Sequence, residues 1–237
     1  ALGASWDPEV ASKVGAVVGS EAVARGIDAV LAPNLNLARS PLAGRAFEYF
    51  SEDPLLAGVL GAGWIEGLQS TGTGAVPKHL VCNDSETGRD YVNVRVDERT
   101  LREVYMLPFE LAAAAGCAGF LAAYNKVGGS WCSESVAVRS DVVKGEWGFE
   151  RLIMSDWFGT HSSDGTINAG LDLEMPGPAR FMGQKLAEAA GVDRARVFDA
   201  AARVAATARM VTGPKSAPLP IADTFIDHDW RLTIRSR

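Results

Sequence analysis

The sequence predicts an α/β fold, a (β/α)8 barrel of the TIM type that is short of its full set of strands. Two observations carry this expectation. Helix-like and strand-like stretches alternate along the chain, which is the pattern of βα units around a parallel sheet. The strand-like stretches are continuously apolar, as strands buried on both faces are, and each ends in polar or ring-bearing residues, where a barrel gathers its chemistry.

Pro8 to Arg25 opens the series with helical periodicity, and the apolar run Ile27 to Ala32 follows as the first stave. Pro54 to Gln69 is the second helix, and Ala75 to Leu80 the second stave. The glycines of Gly61-Ala62-Gly63-Trp64-Ile65-Glu66-Gly67 nearly imitate a dinucleotide-binding pattern. They lie inside a helix rather than after a strand, so they read as close helix packing. Glu98 to Ala115 is the third helix, with Asp97 and Glu98 in its first turn where the helix dipole favours acids. Gly119 to Tyr124 is the next stave, Ser133 to Lys144 the next helix, then the staves Leu152 to Met154 and Leu171 to Met175 and the helix Asp193 to Val211. About five staves are found where a closed barrel has about eight. Gly213-Pro-Lys-Ser-Ala-Pro-Leu-Pro220 reads as a linker and Ile221 to Arg237 as a short tail, dividing the chain into a partial barrel over 1–212 and a linker and tail over 213–237.

Composition narrows the function classes. The 237 residues are 47% hydrophobic, ample for a core, and 23 basic against 29 acidic residues give a formal charge of −6. That balance argues against nucleic acid or an anionic membrane as partner, both of which select clustered Lys and Arg, and suits a neutral ligand. Cys82, Cys117 and Cys132 are an odd number at wide spacing and read as reduced structural thiols. Three scattered histidines with no His-x-x-x-His spacing supply no metal site, and no cofactor is implied. His228 carries no reading, and the sequon Asn83-Asp84-Ser85 carries little weight, since three-residue matches recur by chance. No charged-then-apolar leader opens the chain and no run of about 18 apolar residues occurs. That points to a cytoplasmic protein without a membrane span, with secretion left open because position 1 is Ala rather than Met.

The most informative segment is Ile153-Met154-Ser155-Asp156-Trp157-Phe158-Gly159-Thr160-His161. It sets a carboxylate just past an apolar run, at the mouth of a barrel, and follows it with an indole that can face a sugar ring. Asp156 is therefore the candidate nucleophile and Trp157 the candidate sugar platform. The competing explanation is an N-cap for the next helix. His161, on the loop beyond, reads as structural.

Four further segments bear on this one: Leu31 to Pro54, with Pro33-Asn34-Leu35-Asn36 and Gly44-Arg45-Ala46-Phe47-Glu48; Pro77-Lys78-His79-Leu80; Val96 to Phe109; and Ala123-Tyr124-Asn125-Lys126-Val127. In this order and spacing the five resemble the N-terminal barrel domain of family 3 glycoside hydrolases of the β-glucosidase type, from about Trp6 to Thr212. The resemblance implies retaining hydrolysis of terminal β-D-glucosyl residues. Asp156 would be the nucleophile, and Arg45, Lys78, His79 and Tyr124 would bind the sugar. Arginine and lysine would also hold the neighbouring carboxylate ionised, although Arg45 could instead pair with Glu48 or Glu52 at the surface. Tyr124 would donate toward Asp156 or the developing positive charge.

The resemblance also implies that the chain begins inside the domain, after its opening strands and an acidic sugar-binding loop. The general acid would come from the α/β sandwich domain that follows. Asp84, Glu86, Glu134, Asp164 and Glu174 are the acids within the chain to weigh in its place. Bacterial amino-sugar hydrolases of the family carry a histidine shortly after the Lys-His pair; Cys82 to Arg89 has none, which disfavours that branch. The implied partner is a small β-glucoside or short β-glucan, with β-xylosides as the alternative, and open barrel edges would favour association. The reading from another class is a non-catalytic remnant, or half of a split assembly.

Overall fold

A computed structural model describes residues 1–213 and Lys215. Most of the expected linker and tail, and His228, lie outside the described residues. The long helices start where an aspartate meets an exposed backbone N–H. Asp7 accepts from Glu9 ahead of helix α1 (Pro8–Ala24), Asp53 from Leu56 ahead of α2 (Pro54–Gln69), and Asp193 from Ala195 ahead of α7 (Arg194–Val211). Proline stands at the first position of α1 and α2, where its missing N–H costs nothing.

The staves form an arc of parallel pairings. Strand β1 (Ala29–Val30) pairs with β2 (Gly74–Ala75), and β3 (Lys78–Leu80) pairs with β5 (Gly119–Ala122), which pairs with β8 (Leu152–Ser155). Bridges Asn34–Lys78 and Met154–Leu173 carry the parallel pattern to either side. The expected stave Ala75 to Leu80 is thus broken in two, because Pro77 between its halves has no N–H to give a ladder. The expected stave Leu171 to Met175 is reduced to the single bridge at Leu173.

Both faces of the arc are covered. Phe120 and Ala122 of β5 and Ile153 of β8 belong to the main core with Leu60, Ile65, Leu68 and Phe109. Leu121, Leu152 and Met154 pack on the other face with Val76, Leu31 and Leu173. This two-residue alternation puts Asp156, in phase with Leu152 and Met154, toward the inner face.

Helices α1 and α2 pack backbone to backbone. A Cβ on Gly67 would come within 1.9 Å of the Ser12 carbonyl oxygen, and one on Gly15 within 2.2 Å of that of Trp64. Gly63 and Gly67 of the Gly61–Gly67 cluster are helix packing against α1, as the cluster's position inside a periodic stretch implies, while Gly61 makes room for the Leu35 side chain.

Three departures from expectation have local causes. The third helix is α3 (Glu98–Thr100), a π-helical stretch Leu101–Met106 and α4 (Leu107–Ala114) in succession. Its widening precedes Pro108, which cannot donate to the carbonyl four residues back. The expected helix Ser133 to Lys144 is a 3-10 turn Cys132–Glu134, a break, and a π-helix Ala137–Glu146. A small mixed sheet of β4 (Asn93–Val94), β6 (Lys126–Val127) and β7 (Ser130–Trp131) is additional. Gly128 and Gly129, at φ 58° and 94°, turn β6 into antiparallel β7. Short helices α5 (Asp164–Asn168) and α6 (Gln184–Glu188) complete the described elements.

Candidate active site

Strand β8 ends by handing its backbone to neighbouring loops. The N–H of Asp156 donates to the Ala122 carbonyl at 3.0 Å, that of Phe158 to Met175 at 2.9 Å, and that of Gly159 back to Asp156 at 3.0 Å. Phe158 sits in the left-handed region at φ 66°, a conformation that is uncommon for a bulky residue and is held here by its neighbours. Asp156 Oδ1 accepts from the N–H of Trp157 at 2.8 Å, and no helix starts until α5, so the helix-cap explanation falls. Oδ2 is buried and lacks a close donor among the described residues. The Tyr124 hydroxyl favours the charged carboxylate but falls short of a well-formed hydrogen bond to Oδ2. That oxygen is left with a lone pair to use.

His79 lies 3.5 Å from Oδ2 and is neutral. Its Nδ1 meets Asn36 Oδ1 at 3.1 Å, and its Nε2 meets Arg45 Nη1 at 2.9 Å. An arginine only donates, so the network assigns Nε2 as acceptor and Nδ1 as the protonated nitrogen. Burial, then the charges of Arg45, Lys78 and Arg89, hold the ring well below its usual titration range. His79 therefore neither pairs with nor donates to Asp156 near neutral pH. Asn36 fixes it twice more, accepting from the His79 N–H at 3.0 Å and donating to its carbonyl at 3.0 Å.

Glu48 organises the cations. Arg45 grips it with two bonds, of 2.7 and 3.0 Å, and Lys78 lies 3.4 Å from it. Burial works to raise the Glu48 carboxyl, but the Arg45 bond and the Lys78 and Arg45 charges outweigh it and hold the group low. The surface-pair alternative for Arg45 is right in naming Glu48. The pair is half-buried, however, and Arg45 spans from it to His79.

Asp156 itself is pushed up: burial is the largest influence, partly offset by the Trp157 N–H, the Tyr124 hydroxyl, and the Arg45 and Arg89 charges. The expectation that basic neighbours give a net lowering is thus corrected. Lys78 spends its charge on Glu48, and desolvation wins. Burial and then the Asp156 charge push the Tyr124 phenol up to about 12, so it stays a donor.

All six residues singled out from sequence line one cavity of about 250 Å3: Arg45, Lys78, His79, Tyr124, Asp156 and Trp157. Sequence reading missed three others there. Leu31 and Leu121 form an apolar wall. Arg89 stacks its guanidinium 4.9 Å from the Tyr124 ring centre and pairs with Glu86 at 2.7 Å. The signal for Arg89 was its spacing of three from Glu86, in a segment read only for its lack of histidine. None of the five alternative acids lines the cavity. Asp84 accepts from Leu37 N–H at 2.5 Å, Glu86 pairs with Arg89, and Glu134 accepts from Ser162 at 2.6 Å. Asp164 opens α5, and Glu174 takes the N–H groups of Arg180, Phe181 and Met182. His161 stacks on Trp131, ring centres 3.8 Å apart, outside this cavity. The described residues offer no group of three or more His, Cys, Asp or Glu placed to hold a metal.

The profile of the glycosyl hydrolase family 3 N terminal domain matches residues 1–207. A beta-glucosidase of Rhizobium radiobacter is 48% identical over 206 residues, 86% of this chain and 25% of that protein. Among solved structures, beta-glucosidase from Kluyveromyces marxianus in complex with glucose superposes with a TM-score of 0.88 at 35% identity. It covers 94% of this chain and 29% of that one. Beta-glucosidase 3B from Thermotoga neapolitana, in complex with alpha-D-glucose, superposes with a TM-score of 0.84, also at 35% identity, over 88% of this chain and 31% of that one. The chain spans about a quarter of the length of the curated relatives it matches.

Proposed function

Because the chain belongs to glycosyl hydrolase family 3, we propose that it carries the nucleophile and the glucose-binding half of a retaining β-glucosidase. The observation that carries this is Asp156 Oδ2, a buried carboxylate oxygen with no close donor, in a cavity walled by Arg45, Lys78, His79, Tyr124 and Trp157. A terminal β-glucosyl ring enters with its hydroxyls toward Arg45 and Lys78 and one face toward Trp157.

Oδ2 attacks the anomeric carbon as the bond to the leaving oxygen breaks, and the leaving oxygen takes a proton from a general acid. Water, giving its proton to the conjugate base of that acid, then displaces Asp156 from the opposite face, the one the leaving group vacated, so two inversions retain the configuration. The Tyr124 hydroxyl stays protonated through the neutral range and stabilises carboxylate charge on either side of the attack.

The acid is assigned to a segment beyond this chain, since among the described residues no carboxylate but Asp156 lines the cavity. The same observation favours a second reading, in which this chain is one half of an assembly that a partner completes.

Azide tests the proposal, because it attacks a glycosyl-enzyme without help from a base, and a dinitrophenyl β-glucoside leaves without help from an acid. With both supplied, β-glucosyl azide is the expected product by NMR. Production of the α-azide would overturn the retaining mechanism. A xyloside consumed in preference to the glucoside would move the substrate to β-xylosides.

A further inference from the structure

Arg139, on the π-helix Ala137–Glu146, is wholly buried, and its Nε, Nη1 and Nη2 all lie out of reach of solvent and of any acceptor among the described residues. Burial, the largest influence, pulls its pKa down to about 10, which leaves it charged at neutral pH. A buried charge without a partner is among the most costly groups a fold can hold.

We propose that Arg139 is the core of a buried binding site for one small monovalent anion, a halide such as chloride. The site is separate from the sugar cavity, which Arg139 does not line, and it stands whether or not the glucoside reading holds.

Both carboxylates that act on Arg139 are already engaged. Asp172, its side chain sealed from solvent, accepts from Lys144 Nζ at 2.7 Å, from Arg196 Nη2 and from the Ile153 N–H at 2.8 Å. Glu134 accepts from Ser162 at 2.6 Å and from Thr166 at 3.4 Å. Beyond them, Asp199 is shared by Arg196 and Arg203. Four cations, Arg139, Lys144, Arg196 and Arg203, thus face three carboxylates, which leaves one positive charge over. The other acids of the helix, Asp141 and Glu146, are exposed, and Glu146 pairs with Arg102. Burial pushes the neighbouring Cys132 thiol up to about 11, so it supplies no charge at neutral pH. Lys144 shows the same shortage, since burial and the charges of Arg196 and Arg203 pull it down to about 8 in spite of Asp172.

Water could take some of the Arg139 N–H groups but would leave the charge in place. A halide matches the charge and accepts from several N–H groups at once. It also brings no proton that needs an acceptor, in a place whose acceptors are engaged. Gly170, at φ 100°, carries the chain past this point. A Cβ there would come within 3.0 Å of Ser140 Oγ and 3.6 Å of Arg139 Cβ, so the backbone leaves beside the arginine stem the room that a side chain would take. The bond from the Ile153 N–H to Asp172 places the network at the foot of β8, the strand that leads into Asp156. The anion therefore balances the charges that hold the root of that strand.

The test is a thermal melt of the full chain at neutral pH in sodium chloride, bromide or methanesulfonate at equal ionic strength, the last anion being too bulky for a sealed site. The parent is expected to melt about 5 °C higher in chloride than in methanesulfonate once chloride stands about a hundredfold above its dissociation constant. Arg139→Met removes the charge along with the need for its partner, so it should show no difference between the salts and, in methanesulfonate, melt at or above the parent. A parent indifferent to the anion would overturn the inference. A chloride effect that survives in Arg139→Met would overturn the assignment to this residue. Crystals of the parent grown in bromide give a readout that needs no variant: an anomalous peak in contact with the Arg139 guanidinium is expected, and a guanidinium that contacts only water there would overturn the site.

Discussion

Asp156 is held against two opposing pulls: burial raises its pKa, while Tyr124, Arg45, Arg89 and the Trp157 N–H work to keep it charged. Removing one of those supports should be visible in pH dependence. In Tyr124→Phe the carboxyl moves up further, so the acidic limb of nucleophile labelling shifts to higher pH and the rate at pH 7 falls roughly 10- to 100-fold. An unmoved limb would remove Tyr124 from the role. Asp84 makes a separate prediction. Burial is the chief cause that raises it to about 6, so the folded state binds a proton that the unfolded chain releases near pH 4. Its contribution to stability is therefore lost as pH rises from about 4 to about 6. Urea unfolding should show Asp84→Asn to be more stable than the parent at pH 7, by up to roughly 3 kcal/mol, and equal to it below pH 4. At this scale much of the site was legible: Arg45, Lys78, His79, Tyr124, Asp156 and Trp157 all came from motif positions and share one cavity. The division of labour among the charges was not legible. It depends on Glu48, Asn36 and Arg89, whose contacts join residues separated by tens of positions and leave no periodic mark.

Helices were the most legible elements, because a 3.6-residue apolar period survives in sequence. Even there, fit is set by backbone approach. Gly67→Ala is expected to cost about 2–3 kcal/mol in a thermal or urea melt, since its methyl would strike the Ser12 carbonyl of α1. Gly26→Ala, in open space but at φ 67°, should cost about 1 kcal/mol. Equal costs would contradict the packing account. The staves were legible as apolar runs, but their ends depended on single residues: Pro77 splits one run into β2 and β3. The hairpin at Gly128-Gly129 had a readable turn signal, masked by its polar, two-residue strands. Arg139 in the helix Ala137–Glu146 has no readable reason. It is wholly buried, its three side-chain nitrogens reach no acceptor among the described residues, and burial pulls it down to about 10. Arg139→Met should therefore stabilise the chain by about 1–4 kcal/mol.

At the scale of the whole chain, the parallel arc runs from β1 through β8 to the bridge at Leu173, and its short outer strands leave backbone groups to be paired. Sedimentation velocity is expected to show association that grows with concentration. A single monomeric boundary at high concentration would contradict that expectation. The arc also frames the contribution proposed for the chain: a nucleophile and a sugar cavity, with the acid supplied from elsewhere. The most direct test isolates the first of these. The chain is incubated with a 2-fluoro-glucosyl donor carrying a strongly activated leaving group, which needs little acid assistance, and then weighed intact and mapped by peptide mass. The account predicts one covalent 2-fluoroglucosyl adduct on the peptide containing Asp156, absent from Asp156→Ala. A folded chain that takes up no adduct, or one labelled at another carboxylate, would contradict it.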